Sequence, residues 1–530
     1  NKIKTYLTFE PYEIEEVYLN SITTQYDPHT TFFSKPSWIE FGIAMNNALS
    51  GVGAMLQDDD GYCTIREILP GGPIEASKRI KVGDRIIAIG QGKDGDLVDV
   101  VGMRLNKVVN QLRGKPDTHV RLRIEPAIDR TARYTITLQR TEIKLTTKLA
   151  HASLVELPAG DRTIPIGVIT IPAFYGKNKE ESFSTSEDVR ELIGKLKKLH
   201  VQALVLDIRR NGGGVLDEAV KLTGLFIPTG PVLQVRGSDG KVTHLDDTDR
   251  DVAWDGPLVV LVSKLSASAS EIFAGALQNH QRAIVVGDER THGKGSVQSV
   301  IGFDNINPDL GSAAKLTVQK WYLPSGNSIQ LQGVPSDIAV PSIYSVLPVA
   351  ESDLQNPLPW DAISSVLDPN ENASWRKSHL QAVVSPELVE KLREESLRRQ
   401  AELPEFLTLG RTIAWTKSRE QDRTFPLNYD RLRNERIEDQ SFRESIRESY
   451  QSLATHNFKN EPVKLDSALA QEKETAALKA SQASAEETAA DQESAKEKDP
   501  EEEEWPDFDV QQREAVRIAG DWLSRLPSAQ

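Results

Sequence analysis

"GDERTHGKGSVQ", Gly287 to Gln298, is the stretch on which the reading turns. A glycine, a gap and then Gly-Lys-Gly-Ser come close to a phosphate-binding loop, which would make the core a nucleotide-binding sheet. The spacing does not fit. That motif has four residues between its glycines and a Ser or Thr directly after the lysine. Here five residues separate Gly287 from Gly293, and Gly295 follows Lys294. "AIVVG" before the loop reads as a strand, but "SVQSVIG" after it is strand-like too, and a phosphate loop needs a helix N-terminus there. Lys294 needs another role.

The sequence just upstream offers one. "KLSASASEIFAGAL" sets serines and small residues directly before a helix. A serine at a strand-to-helix junction projects its hydroxyl, and the first free amides of the helix beside it can hold an oxyanion. A lysine can serve as the general base if burial lowers its pKa enough to leave it neutral. The plainer reading makes "SASAS" an N-cap and Lys294 a surface charge. A metal site has little support, since the histidines are scattered and no Cys cluster exists. A Ser/His/Asp triad stays open at this point, with His280 and His292 flanking the region.

Composition narrows the classes. The chain has 530 residues, 38% hydrophobic and 27% charged, which predicts several domains. Its net charge of −15 argues against nucleic acid or an anionic membrane surface as the main partner. The single cysteine, Cys63, excludes an intrachain disulfide and a Cys-based metal site. No apolar run is long enough to span a membrane. The first residue is Asn1 rather than Met, which leaves room for a removed leader or an upstream domain.

Along the chain the rhythm changes several times. Residues 1–47 read as the end of a helical domain, broken by "YDPHTTFFSKPS". Residues 48–130 alternate short strands with glycine turns: "SGVGAMLQ", "YCTIREIL", "PGGPIEAS", "KVGDRIIAIG", then the helical "MRLNKVVNQLRG" and "HVRLRIEPA". Residues 131–345 alternate strands and helices, predicting an α/β core in which "IPIGVITIPAF", "VQALVLDIR" and "PLVVLVS" are buried strands. Residues 346–466 are charged and helical, 467–504 form an acidic low-complexity linker, and 505–530 form an amphipathic helix expected to dock back on the fold.

Three more features accompany the serine and lysine motifs. "LVLDIRRNGGGVLDEAVKL" is a strand, a glycine loop and a helix; residues 48–130 look like a PDZ domain; and "AAKLTVQKWYLPSGNSIQLQGVPSDI" looks like the closing strands of a peptidase core. In this order they resemble the carboxyl-terminal processing proteases, peptidase family S41, and within it the tail-specific branch of Gram-negative bacteria. The resemblance is strong over residues 48–345 and looser at both ends. It implies a multidomain α/β protein, with a PDZ domain and a crotonase-like α/β Ser–Lys peptidase core between helical segments.

By that resemblance the nucleophile is Ser268, with Ser266 and Ser270 as local competitors, and the base is Lys294. Gln298 would orient the lysine amine. The oxyanion would meet the backbone amides of Ala269 and of Gly214, with Gly213 next. The loop before Lys294 is one residue longer than the usual pattern of the family, His292 replaces an aromatic, and Asn279 stands where some members have an aspartate. In the PDZ piece, Ser50, Gly51, Val52 and Gly53 would form the carboxylate loop, with Val108 and Leu112 lining the groove. The resemblance implies an ATP-independent endopeptidase without metal or other cofactor, acting on proteins with apolar C-termini. It also suggests a periplasmic location, an adaptor lipoprotein and envelope or peptidoglycan-enzyme substrates. The competing reading is a PDZ-type peptide-binding scaffold with a dormant core.

Overall fold

Uncharged runs such as "ALVL" and "LVVLV" cannot face water on either side, and they become the centre of a sheet covered on both faces. The computed structural model of the chain describes all residues except 1–8, 47, 145–147, 177–182, 307–309, 369–383, 423, 425, 474–504 and 527–530. Most of the acidic stretch 467–504 therefore lies outside the described residues. The chain divides into two compact units: Asn1–Trp38 with Ala150–Lys464 and Lys498–Gln530, and Ile39–Leu149 with Leu465–Glu497.

The larger unit is built on a seven-stranded sheet. Its order is Ile338–Ala339, Ile284–Gly287, Leu258–Val262, Ala203–Asp207, Arg162–Thr170, His151–Ala159 and Lys459–Val463. The first five run parallel; His151–Ala159 is antiparallel to both of its neighbours. Alternate residues of one face (Val168, Val205, Val259, Leu261, Val286) form a core with Leu392, Phe406, Leu409, Val516, Ile518 and Trp522 from the C-terminal helices. Each such side chain, taken out of water, contributes about 1.5–3 kcal/mol. The helices Pro386–Glu402, Pro404–Gln421 and Val510–Leu523 are thus a layer of this unit's core.

The helix Val510–Leu523 docks as its amphipathic pattern predicts, and an ion cluster fixes its start. Asp509 accepts the Gln512 amide at 2.9 Å as N-cap, and its carboxylate also pairs with Arg209, which is held from the other side by Asp207, both at 2.5 Å. Arg209 follows the strand Ala203–Asp207 and leads into the glycine loop, so this tie braces the site described below.

A second sheet joins Thr31–Phe33, Ala313–Tyr322, Gly230–Gly237 and Val242–Asp247, with Ser296–Gly302 also paired to Ala313–Tyr322. The strand Thr31–Phe33 lies in the N-terminal stretch that reads as helical. The helix Pro11–Thr23 ends before Pro28, and the chain then adds an edge strand before re-entering helix at Lys35–Asn46.

The smaller unit has a six-stranded antiparallel sheet and a helix at Leu105–Leu112. Tyr134–Gln139 belongs to that sheet, and Thr141–Lys144 pairs with Ala48–Gly51, so the strands of this unit run on past residue 130.

Candidate active site

Ser268 is the N-cap of the helix Ala269–Asn279, and its backbone sits at φ 57° and ψ −115°. A non-glycine residue there is strained, a feature that clusters at functional sites. The turn leaves Ser268 partly accessible, while its neighbours are sealed. Ser266 and Ser270 are both 0% exposed. Ser266 Oγ donates to Ile208 O and Ser270 Oγ to Asn211 O, each at 2.8 Å. Of the three serines, only Ser268 donates its hydroxyl to no described residue.

The glycine loop closes against this turn. A Cβ on Gly213 would lie 2.9 Å from Ser268 Cβ, and one on Gly214 would lie 2.1 Å from Phe174 O. With φ of 107° and 146°, both positions demand glycine. The Gly213 amide donates to Asn211 Oδ1 at 2.9 Å and is thereby spent, which corrects its assignment as a reserve oxyanion donor. The amides of Gly214 and Ala269 make no hydrogen bond among the described residues. Two free N–H groups flank the accessible serine, as an oxyanion site requires.

Lys294 is threaded between two glycines because its backbone runs through a tight channel. A Cβ on Gly293 would lie 3.1 Å from Leu331 C, and one on Gly295 3.1 Å from Gln330 Cβ. Trp321 Nε1 donates to Lys294 O at 3.0 Å, and the Gly295 amide donates to Gln330 Oε1 at 2.8 Å. Burial, reinforced by the charge of Lys315, brings the Lys294 ammonium down to about 8. That leaves an appreciable neutral fraction near neutral pH, as a general base needs. No hydrogen bond joins Lys294 Nζ to Ser268 Oγ among the described residues.

The two motifs are tied by a residue that the sequence reading did not single out. Glu271, 0% exposed, accepts from the Ser268 amide at 2.8 Å and the Lys294 amide at 2.9 Å through Oε2. Through Oε1 it accepts from the Gly293 amide and the Thr291 hydroxyl, both at 2.6 Å. Burial raises its pKa to about 7, against the pull of these donors. The signal was present: Ser268-x-x-Glu271 has capping-box spacing. Asn211 was also missed; it donates to Ile171 O at 3.0 Å and shapes the glycine loop.

Gln298 donates to Ser296 Oγ at 2.8 Å and to Thr317 Oγ1 at 3.2 Å. Both amide hydrogens are thus engaged, and no hydrogen bond joins Gln298 to Lys294 among the described residues. The histidines go elsewhere. His280 Nε2 bonds Pro231 O at 2.8 Å, and His292 Nδ1 faces Glu351 at 3.6 Å. Glu351 is held by His29 at 2.7 Å and Gln330 at 2.9 Å. Asn279 accepts the Ser325 amide at 3.0 Å, a packing role at the helix end.

In the smaller unit, the amides of Val52 and Gly53 make no hydrogen bond among the described residues, as a carboxylate loop needs. Gly51 lies beside the Arg113 stem. Ser50 pairs with Glu142. Val108 and Leu112 are 0% and 3% exposed and lie in this unit's core, a correction to their assignment as groove-lining residues. At helical spacing they share the inward face.

Residues 165–340 match the model for Peptidase family S41, residues 344–524 that for the C-terminal domain of tail specific protease, and residues 40–125 that for the PDZ domain. The chain is 37% identical over 436 residues to the tail-specific protease of Haemophilus influenzae, covering 81% of this chain and 59% of that protein. It is 31% identical over 317 residues to a probable CtpA-like serine protease of Staphylococcus aureus, covering 59% of this chain and 57% of the relative. The chain thus spans less than two thirds of the length of these relatives. Among solved structures it is 27% identical to a photosystem II D1 C-terminal processing protease, covering 66% of this chain and 88% of the other, with a TM-score of 0.35.

Proposed function

The chain belongs to peptidase family S41, with a PDZ domain before the peptidase core and a tail-specific protease C-terminal domain after it, and from that premise we propose that it is a serine endopeptidase with a Ser268–Lys294 dyad that takes its substrates by their C-termini. The observation that carries this is the pairing of an accessible, strained serine beside two free amides with a desolvated lysine, both latched to one buried carboxylate.

The chemistry follows from the groups. Neutral Lys294 takes the proton of Ser268 Oγ as that oxygen bonds to a peptide carbonyl carbon. The negative charge on the carbonyl oxygen is met by the Gly214 and Ala269 amides. As the tetrahedral species collapses, the C–N bond breaks and Lys294 returns the proton to the leaving amine. Water then hydrolyses the acyl ester by the same proton relay. The PDZ domain binds an extended tail as an added strand and raises the local concentration of the scissile segment, with the Val52 and Gly53 amides receiving the terminal carboxylate. We place the protein in the periplasm, acting without ATP on envelope proteins with apolar tails, with an adaptor lipoprotein among its partners.

The test is cleavage of a reporter protein carrying an apolar C-terminal tail, followed by mass spectrometry, with a polar-tailed reporter as control. Wild type should cut the first reporter preferentially without ATP, and Ser268→Ala and Lys294→Ala should not cut it. Cleavage that survives either substitution sinks the dyad. Loss in His292→Ala with activity kept in Lys294→Ala would restore a histidine base.

A further inference from the structure

The turn Asp27–Thr30, inside the stretch "YDPHTTFFSKPS", reaches the lysine loop through its side chains. Asp27 shapes the turn from within. Its Oδ1 accepts the amides of His29 and Thr30 at 2.8 and 2.9 Å, and its Oδ2 accepts the Thr30 hydroxyl at 2.5 Å. The turn is pinned to the strand Ala313–Tyr322. There the Thr317 amide donates to Thr30 Oγ1 at 3.1 Å, and the Thr317 hydroxyl donates to Asp27 Oδ1 at 2.8 Å. Asn20 clamps the strand that follows, donating to Phe32 O at 3.0 Å and accepting the Phe32 amide at 2.7 Å. His29 is thereby held in one direction, with its ring on Glu351.

Glu351 is 0% exposed, so its charge has to be met by protein groups. His29 Nε2 lies 2.7 Å from Glu351 Oε2. A carboxylate only accepts, so Nε2 carries the hydrogen. Burial works against the Glu351 charge, but the hydrogen bond and charge of His29 bring its pKa below the ordinary value. Glu351 Oε1 accepts from Gln330 Nε2 at 2.9 Å, and Gln330 Oε1 accepts the Gly295 amide at 2.8 Å. Turned over, the Gln330 amide would set its oxygen against a carboxylate and its NH₂ against an N–H, so Glu351 fixes which way it faces. His292 also faces Oε2, but its Nδ1 is 3.6 Å away and has no hydrogen-bond partner among the described residues. Of the two imidazoles, His29 is the one that holds the carboxylate. The lysine backbone is thus fixed on both sides: Glu271 takes the Lys294 amide, and Glu351 acts through Gln330 on the amide of the next residue.

We propose that His29 is a positioning residue for the peptidase reaction: the run His29–Glu351–Gln330–Gly295 fixes the backbone at Lys294 and so sets where its amine stands when it takes the Ser268 proton. The inference rests on the dyad reading. Without His29, the facing imidazole left to Oε2 is that of His292, and a carboxylate that turns to it draws Oε1 off Gln330.

The experiment measures kcat and KM of the intact protein on the apolar-tailed reporter, on the alkaline plateau where Lys294 is neutral. His29→Leu should lower kcat about 10- to 100-fold and leave KM within about twofold. His29→Gln, whose Nε2 can replace the imidazole donor, should stay within about threefold of wild type. The double variant His29→Leu/Glu351→Met removes the buried carboxylate together with its donor, so its urea midpoint should return toward wild type while kcat stays low. Recovery of kcat along with the midpoint, equal losses in His29→Leu and His29→Gln, or wild-type kcat in His29→Leu overturns the proposal. Hydrogen exchange gives a readout without turnover. In His29→Leu the Gly295 amide should exchange at least about tenfold faster, while the helix Ala269–Asn279 keeps its protection. Unchanged exchange at Gly295 refutes the inference even if the chain proves not to be a peptidase, whereas absent cleavage by wild type refutes the peptidase reading alone.

Discussion

Replacing Glu271 by Gln tests the central geometry. The carboxylate spreads four donors over two oxygens: the Ser268 and Lys294 amides on Oε2, and the Gly293 amide and Thr291 hydroxyl on Oε1. A glutamine keeps one acceptor oxygen and presents NH₂ to two groups that also donate. Two buried donors then go unmatched, at about 1–3 kcal/mol each. The native carboxylate already bears a desolvation cost, visible in its pKa of about 7, and that cost disappears with the charge. The expected loss is therefore about 2–4 kcal/mol, read as a lower urea midpoint with unchanged slope.

The same change frees the Ser268 turn from the Lys294 loop, and a misplacement of about 1 Å costs about 10²-fold in rate. So kcat should drop by that order even where the variant is fully folded. One further sign is fixed. The Glu271 charge raises the Lys294 pKa, so its removal should move the acid limb of the activity profile to lower pH. A variant that loses stability but keeps kcat would show the carboxylate to be scaffolding only. A variant unchanged in both would refute the latch.

Gly214→Ala should lose at least about 10²-fold in kcat/KM, the scale of one oxyanion donor, because its Cβ would lie 2.1 Å from Phe174 O at a φ of 146°. Gly212→Ala in the same loop, where a Cβ meets nothing within 4 Å, is the control and should stay near wild type. Arg209→Met leaves Asp207 and Asp509 without their shared cation and should destabilise the larger unit by about 3–5 kcal/mol. Urea unfolding followed by intrinsic tryptophan fluorescence reports it, and an unchanged midpoint would show that the helix Val510–Leu523 docks by its apolar face alone.

What the sequence disclosed and what it hid divide along a physical line. Strands such as Leu258–Val262 are legible because total burial imposes an uninterrupted apolar run. The helix Ala269–Asn279 is legible because its cap and small residues are local signals. The strand Thr31–Phe33 was hidden because three residues carry no periodicity, and its reason for being extended is a partner nearly three hundred residues away. The C-terminal helices read as a separate charged domain for a similar reason. Pro386–Glu402 buries only Leu392 and Ser396 among its described positions, and Arg399 reaches Glu514 at 2.7 Å and Asp521 at 2.7 Å. A helix that docks through ion pairs and a few apolar contacts resembles a solvated one until its partners are known. At the site, the serines of "SASAS" and Lys294 stood out as residue types suited to the chemistry, with Ser268 singled out by the family resemblance, but Glu271 stands out only once two loops distant in sequence are seen to point their amides at it. A buried acceptor serving several backbone donors leaves no compositional trace beyond a capping-box spacing, and that spacing alone also describes an ordinary helix start.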